Sequence, residues 1–140
     1  IENNTITRFV EFVGVDVYYK EGEDVLYLKE DRQVFKDGRT RRRNMSASVS
    51  EKMKFGEDPS LSAIRGVEEE LNITIDSDKI ERTRDIEFDG GSQSYPGLES
   101  KYIGHRFSCF LEADQFKEEG YIEVQKDKST YFKWLKLGKK

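Results

Sequence analysis

Apolar positions along this chain recur with two different periods. Residues 6–19, ITRFVEFVGVDVYY, are rich in β-branched and aromatic side chains and predict a long strand. Glu21 to Asp24 predict a turn, and VLYLKE from Val25 a second strand. Asp37 and Gly38 form a strong turn signal, with QVFK before it and a basic segment after it. In NMSASVS, residues 44–50, Met45, Ala47 and Val49 alternate with polar neighbours, the pattern of a half-buried strand. Residues 79–88 and 102–111 predict further strands, residues 114–120 a short helix or turn, and YIEVQ and TYFKWLKL the closing strands. The period changes between residues 56 and 73. Leu61, Ile64, Val67 and Leu71 recur there at helical spacing. Asp58 can cap that helix, Pro59 suits its first position, and Asn72 tolerates the left-handed conformation that ends it. The spacing predicts a helix over 59–71, with Glu69 and Glu70 turned away from the apolar stripe and Glu68 at its surface edge. Strands on both sides of one helix, joined by hairpin turns, predict a mixed sheet packed on helices.

The helical segment also carries the chemistry. Adjacent carboxylates at its end, Glu69 and Glu70, with Glu57 in the loop before it, can supply hard oxygen ligands to Mg²⁺. Residues 56–73, GEDPSLSAIRGVEEELNI, together with Glu51 resemble the box of the Nudix superfamily, G-x5-E-x7-R-E-U-x-E-E-x-G-U with U aliphatic. Glu57 matches the first Glu, Arg65 the Arg, Val67 the aliphatic, Glu69 and Glu70 the paired glutamates, and Ile73 the last aliphatic. Glu51 stands where the first Gly belongs, Asn72 replaces the last Gly, and Gly66 replaces the Glu after the Arg. In active family members that Glu is a metal ligand and often the base, so the box resembles a degenerate one.

The resemblance implies an α/β fold, a Nudix-like α/β/α sandwich in which a mixed β-sheet carries the box helix. A second helix usually follows the strand that TYFKWLKL resembles. It also implies a metal site at Glu57, Glu69 and Glu70, with Glu51 a further candidate, and Arg65 paired structurally to a carboxylate. If the site is active, Glu69 and Glu70 are its catalytic residues. In order of elements the similarity covers residues 6–137, and only the box is specific.

Gly66 asks for a reason, since a mid-helix Gly costs about 1 kcal/mol relative to Ala. Lost catalysis is the simplest. Room for a bulkier ligand group is another, and replacement of the missing carboxylate by Glu51 a third. Glu112, Glu118 and Glu119 are the other carboxylates able to help.

Composition narrows the classes. A chain of 140 residues is the size of one domain, 1–140, with a real core. Charged residues reach 37%, yet nine Phe and seven Tyr exclude a disordered chain. A net charge of −4 gives no general attraction to nucleic acid or anionic membranes. The single cysteine, Cys109, excludes an internal disulfide framework and suits a reducing, cytoplasmic setting. No apolar run is long enough to span a bilayer, and the N-terminus lacks a signal-peptide pattern. Beginning at Ile1, the chain reads as a processed or excised piece of a longer protein.

Arg39, Arg41, Arg42 and Arg43 are the strongest local charge feature. On a strand Arg39, Arg41 and Arg43 share a face, and their forks match phosphate oxygens. They are the candidate phosphate ligands, against the alternative of a solvated hairpin arm. One short basic run without interleaved aromatics argues against a nucleic-acid surface. Residues 89–100, DGGSQSYPGLES, predict a loop in which Tyr95 either stacks on a base or anchors the loop. His105, inside an aromatic strand, reads as a packed strand residue and Trp134 as core. Two functions follow: a module binding a nucleotide or other pyrophosphate-containing ligand or a protein partner, with hydrolysis weak or lost, or a Mg²⁺-dependent pyrophosphohydrolase of nucleoside diphosphates linked to another group.

Overall fold

The computed structural model describes residues 6–91 and 98–139, with side chains placed over 10–85 and 102–137. The long strand at the start, β1 (Ile6–Glu21), is the spine. It is followed by β2 (Asp24–Phe35), β3 (Thr40–Arg41), β4 (Val49–Lys52), α1 (Pro59–Leu71), β5 (Ile80–Gly91), β6 (Leu98–Phe110), β7 (Tyr121–Val124) and β8 (Lys128–Lys139). One edge of β1 runs parallel to β6 from Ile6 to Tyr18. Its other edge is divided. Tyr18–Glu21 pair antiparallel with β2, whereas Phe12–Val15 pair antiparallel with β4. The main path of this mixed sheet is β5-β6-β1-β2-β8-β7.

The fork between β2 and β4 leaves backbone groups that neither strand can satisfy. Ser48 closes it: its hydroxyl accepts from Val17 N at 3.0 Å and donates to the Leu28 carbonyl. This explains why the alternation at residues 44–50 does not continue as one strand. Ala47, Ser48 and Val49 are all buried in succession, and pairing begins only at Val49.

The three valines at alternate positions in the middle of β1 face α1. Val13, Val15 and Val17 are fully buried there with Leu28, Phe107 and Phe132, and with Ala63, Val67 and Leu71 from the helix. The helix has the expected bounds and caps. The Asp58 carboxylate accepts from the amides of Ser60 and Leu61, and Asn72 closes the helix at φ 58°. Its buried face differs from the expected stripe. Leu61 is 59% exposed, whereas Ser62, Ala63 and Gly66 are buried beside Val67 and Leu71. Small residues let the helix settle close to β4, and that rotation carries Leu61 out to solvent.

Among the described residues α1 is the single α-helix, so one of the two helical layers implied by the resemblance is present. Residues 114–120 form turns, tied by the Tyr121 hydroxyl, which donates to the Gln115 carbonyl at 2.7 Å. Trp134 packs with Tyr19, Phe116 and Tyr121. No helix among the described residues is long and apolar enough to cross a membrane.

Candidate functional site

The loop from β4 into α1 is fastened by one arginine. Arg65 donates to both oxygens of Glu57, Nε at 3.0 Å and Nη2 at 2.9 Å, and reaches the Lys52 carbonyl at 3.3 Å. Its Nη1 lies 3.5 Å from Glu51 and 3.4 Å from Glu69. The fork of Arg65, joined by the Lys54 amide, holds the Glu57 carboxyl down at about 2. Glu57 was expected among the metal ligands. Both of its oxygens accept from Arg65, and the pair fixes the loop on the helix.

Beside the clamp opens a cleft of about 260 Å³. Glu51 enters from β4, Glu69 and Glu70 from α1, Glu30 from β2 and Glu123 from β7, with Arg43 and Lys128 as its cations. Crowded carboxylates resist ionisation together. Burial, then the charges of Glu123, Glu51 and Glu30, push Glu70 up to about 9, against a smaller opposing pull from Arg43. Glu51 is raised by burial and by Glu69, and Glu123 by burial and by Glu51. Glu70 therefore does not project away from the packed side of the helix. It lies one turn beyond Gly66 on the same side.

Gly66 and Glu51 are direct neighbours. A Cβ on Gly66 would sit 3.1 Å from Glu51 Cβ and 3.4 Å from Val49 Cγ1. The family pattern has Gly at the strand position and Glu on the helix. Here the two residue types are exchanged across the contact, and the Glu51 side chain occupies the side that Gly66 leaves open.

Sequence reasoning missed Glu30 and Glu123. Glu123 did carry a signal. In YIEVQ, Tyr121 and Glu123 share the inward face while Ile122 and Val124 are 57% and 77% exposed, the reverse of ordinary burial. Glu112 lies elsewhere, 3.9 Å from Lys79, and Glu118 and Glu119 are not among the residues lining the cleft.

The arginine run does not act as one surface. Arg39 is held by Asp37 at 2.7 Å, and Arg41 donates twice to the side-chain oxygen of Gln33. Arg42 pairs with Asp31. Arg43 alone of the four lines the carboxylate cleft, where its Nε and Nη2 hold Glu30 at 2.9 and 2.6 Å. Pairing across β2 separates the side chains that strand alternation would have put together. Tyr95 lies outside the described residues. His105 is a packed strand residue, its Nε2 2.9 Å from Glu11 and its Nδ1 3.1 Å from Asp85.

On the sheet face opposite α1 lies a second cavity of about 200 Å³, which shares Ser50 with the cleft as a lining residue. Its floor is apolar, with Phe12, Gly14, Ala47 and Gly104. A Cβ on Gly104 would come within 3.0 Å of the Phe12 ring, and one on Gly14 within 3.2 Å of Ala47, so the two glycines keep the floor flat. Arg106 stands at its side, held by Asp16 at 2.9 and 2.8 Å.

Glutamate oxygens are the hard donors that Mg²⁺ takes, and a cation among them would relieve the repulsion that raises Glu51, Glu70 and Glu123. The donor chemistry fits. Among the described residues no three such side chains are already arranged to hold an ion, so binding requires the carboxylates to converge.

No protein-family model matches the chain, and no curated protein matches it by sequence. Solved structures do. A MutT/nudix family protein from Enterococcus faecalis superposes with a TM-score of 0.60 at 14% identity, over 95% of this chain and 46% of the other. The NUDIX domain of Shewanella oneidensis NrtR, complexed with ADP ribose, gives 0.54 at 9% identity, over 91% and 73%. The Escherichia coli dihydroneopterin triphosphate pyrophosphohydrolase gives 0.50 at 18%, over 89% and 79%. The chain thus spans about half the length of the Enterococcus protein. A forked mixed sheet, the box helix on one face and these superpositions agree: the chain has a Nudix-like fold.

Proposed function

We propose that this chain binds a nucleotide or another pyrophosphate-containing ligand at the carboxylate cleft, with hydrolysis weak or lost. The observation that carries this reading is the chemistry of two spaces that share Ser50 as a lining residue. One is an apolar, flat-floored cavity large enough for a ring system, the other a cleft whose glutamates can share a divalent cation with phosphate oxygens. The NrtR domain was crystallised with ADP ribose, and the Escherichia coli enzyme is named for a triphosphate substrate, both ring systems joined to phosphate.

Glu69 and Glu70, with Glu51 and Glu123 beside them, would hold Mg²⁺, which would orient water and neutralise charge developing on the pyrophosphate. Arg43 and Lys128 are the cations placed to meet phosphate oxygens in the cleft. Arg65 and Glu57 keep the loop in register. Gly66 leaves the helix one carboxylate short, which is the ground for weak turnover.

The exchange of Glu51 and Gly66 favours a second reading, in which Glu51 supplies the missing carboxylate and the chain is an active Mg²⁺-dependent pyrophosphohydrolase. A panel of nucleoside diphosphates and dinucleotides, assayed for binding and phosphate release with and without Mg²⁺, separates the two. Mg²⁺-dependent binding without turnover supports the module. Turnover abolished by both Glu70→Gln and Glu51→Gln establishes the hydrolase. Failure of every compound to bind overturns both and leaves a protein-interaction domain.

A further inference from the structure

The carboxylate cleft has a counterpart of opposite sign. On the other side of β2 lies a cavity of about 320 Å³ lined by Lys29, Arg42, Arg43 and Lys133, with Glu30 and Asp31 as its lining carboxylates among the described residues. Four cations against two anions leave a local excess of two positive charges, in a chain whose net charge is −4. The carboxylates are also overcommitted. Asp31 is shared by Arg32 at 2.7 Å, Arg42 at 3.2 Å and Lys133 at 3.6 Å. Among the described residues the partner of Lys29 is neutral, the Asn44 side-chain oxygen at 3.2 Å. Arg43 gives Nε and Nη2 to Glu30, and its Nη1 has no hydrogen-bond partner among the described residues.

Neighbouring cations of one sign repel each other, and an anion seated among them removes that cost. Two arginine forks and two lysines, each a different kind of donor, converge on one space. Lys133 and Arg42 keep 61% and 67% of their side chains exposed, so a ligand can reach them from solvent. A volume of this size has room for a pyrophosphate group.

We infer that this basic cavity is a site for a phosphate-bearing anion, separate from the carboxylate cleft and joined to it through the Glu30–Arg43 pair, which lines both. It stands whether or not the cleft binds nucleotides. The phosphate group has two sources, the far end of a ligand held in the cleft or an independent polyanion.

The probe is inorganic pyrophosphate in EDTA, titrated by calorimetry and by amide chemical shifts on the whole chain. Expected are saturable binding that weakens with salt, and shifts centred on Lys29, Asn44 and Lys133. Lys133→Ala and Arg42→Ala should each weaken binding about tenfold, as the loss of a charge-assisted hydrogen bond does. Arg39→Ala, whose side chain is 73% exposed and paired to Asp37, should leave it unchanged. Lys133→Glu, with thermal unfolding to show that the fold survives, should abolish it. Absence of saturable binding, equal losses in Arg39→Ala and Lys133→Ala, or shifts confined to the cleft would overturn the site. A nucleoside diphosphate titrated with Mg²⁺ then assigns the source. Weaker binding in Lys133→Ala marks the far end of the cleft's ligand, and unchanged binding an independent polyanion.

Discussion

At the scale of single residues, two positions decide most of the site's behaviour. Gly66 is smaller than any other residue would be because Glu51 Cβ lies 3.1 Å from where its own Cβ would stand. Gly66→Glu should therefore destabilise the fold by about 1–3 kcal/mol, although a mid-helix Gly is removed. Glu51→Gly combined with Gly66→Glu should recover most of that loss, with a coupling of about 1–2 kcal/mol in urea unfolding. Additive effects would show that the two residues do not exchange for one another. Glu70 sets the pH dependence. Its carboxyl is raised from an ordinary 4.5 to about 9, so the native state holds its proton more tightly than the unfolded chain. The corresponding stability is complete below pH 4.5 and is lost as pH rises toward 9. Glu70→Gln should flatten that decline and stabilise the chain at pH 9 by roughly 1–3 kcal/mol, the cost of a poorly compensated buried polar group. Mg²⁺ binding near pH 7 should release protons, measurable by calorimetry in buffers of different ionisation enthalpy, and Glu70→Gln should reduce that release.

At the scale of elements, the helix and the fork answer to different kinds of information. The bounds and caps of α1 were legible because Asp58, Pro59 and Asn72 act within a few residues of themselves. Asp58→Ala should cost about 1 kcal/mol through the lost cap. The burial of the helix was less legible: Leu61, Ile64, Val67 and Leu71 describe a stripe, but tight contact with β4 at Gly66 rotates the helix and exposes Leu61. The fork was not legible at all. That Ser48 is buried between Val17 and Leu28, 31 and 20 residues away, is a tertiary fact with no periodic signature. Ser48→Ala should leave both backbone groups unpaired and cost about 2 kcal/mol or more, whereas Ser46→Ala, at an exposed neighbour, should change little. Equal thermal shifts in the two variants would count against Ser48 as the closure of the fork.

At the scale of the whole molecule, the strands around the divided edge of β1 frame three spaces of different character. The carboxylate cleft lies under α1, the apolar cavity behind β1, and the basic cavity behind β2. Glu57, Arg65, Glu69 and Glu70 could be found in the sequence because they share one local segment. Glu30, Glu123 and the Phe12 cavity come from strands up to a hundred residues apart and only the fold assembles them. The same pairing dispersed the arginines: β3 fixes Arg41 to Gln33 and leaves Arg43 at the cleft. If the apolar cavity receives a ring and the cleft receives phosphates, the two contributions should separate. Phe12→Ala removes an aromatic face, and stacking of a base is worth about 1–3 kcal/mol. Affinity for a nucleoside diphosphate with Mg²⁺ should then fall by roughly five- to a hundredfold, while inorganic pyrophosphate with Mg²⁺ should bind as before. Arg43→Ala should weaken both, since it acts on phosphate rather than on the ring. Calorimetry of the two ligands against the two variants gives a four-way comparison. Equal losses for both ligands in Phe12→Ala would mean that the cavity supports the fold and does not read the ring.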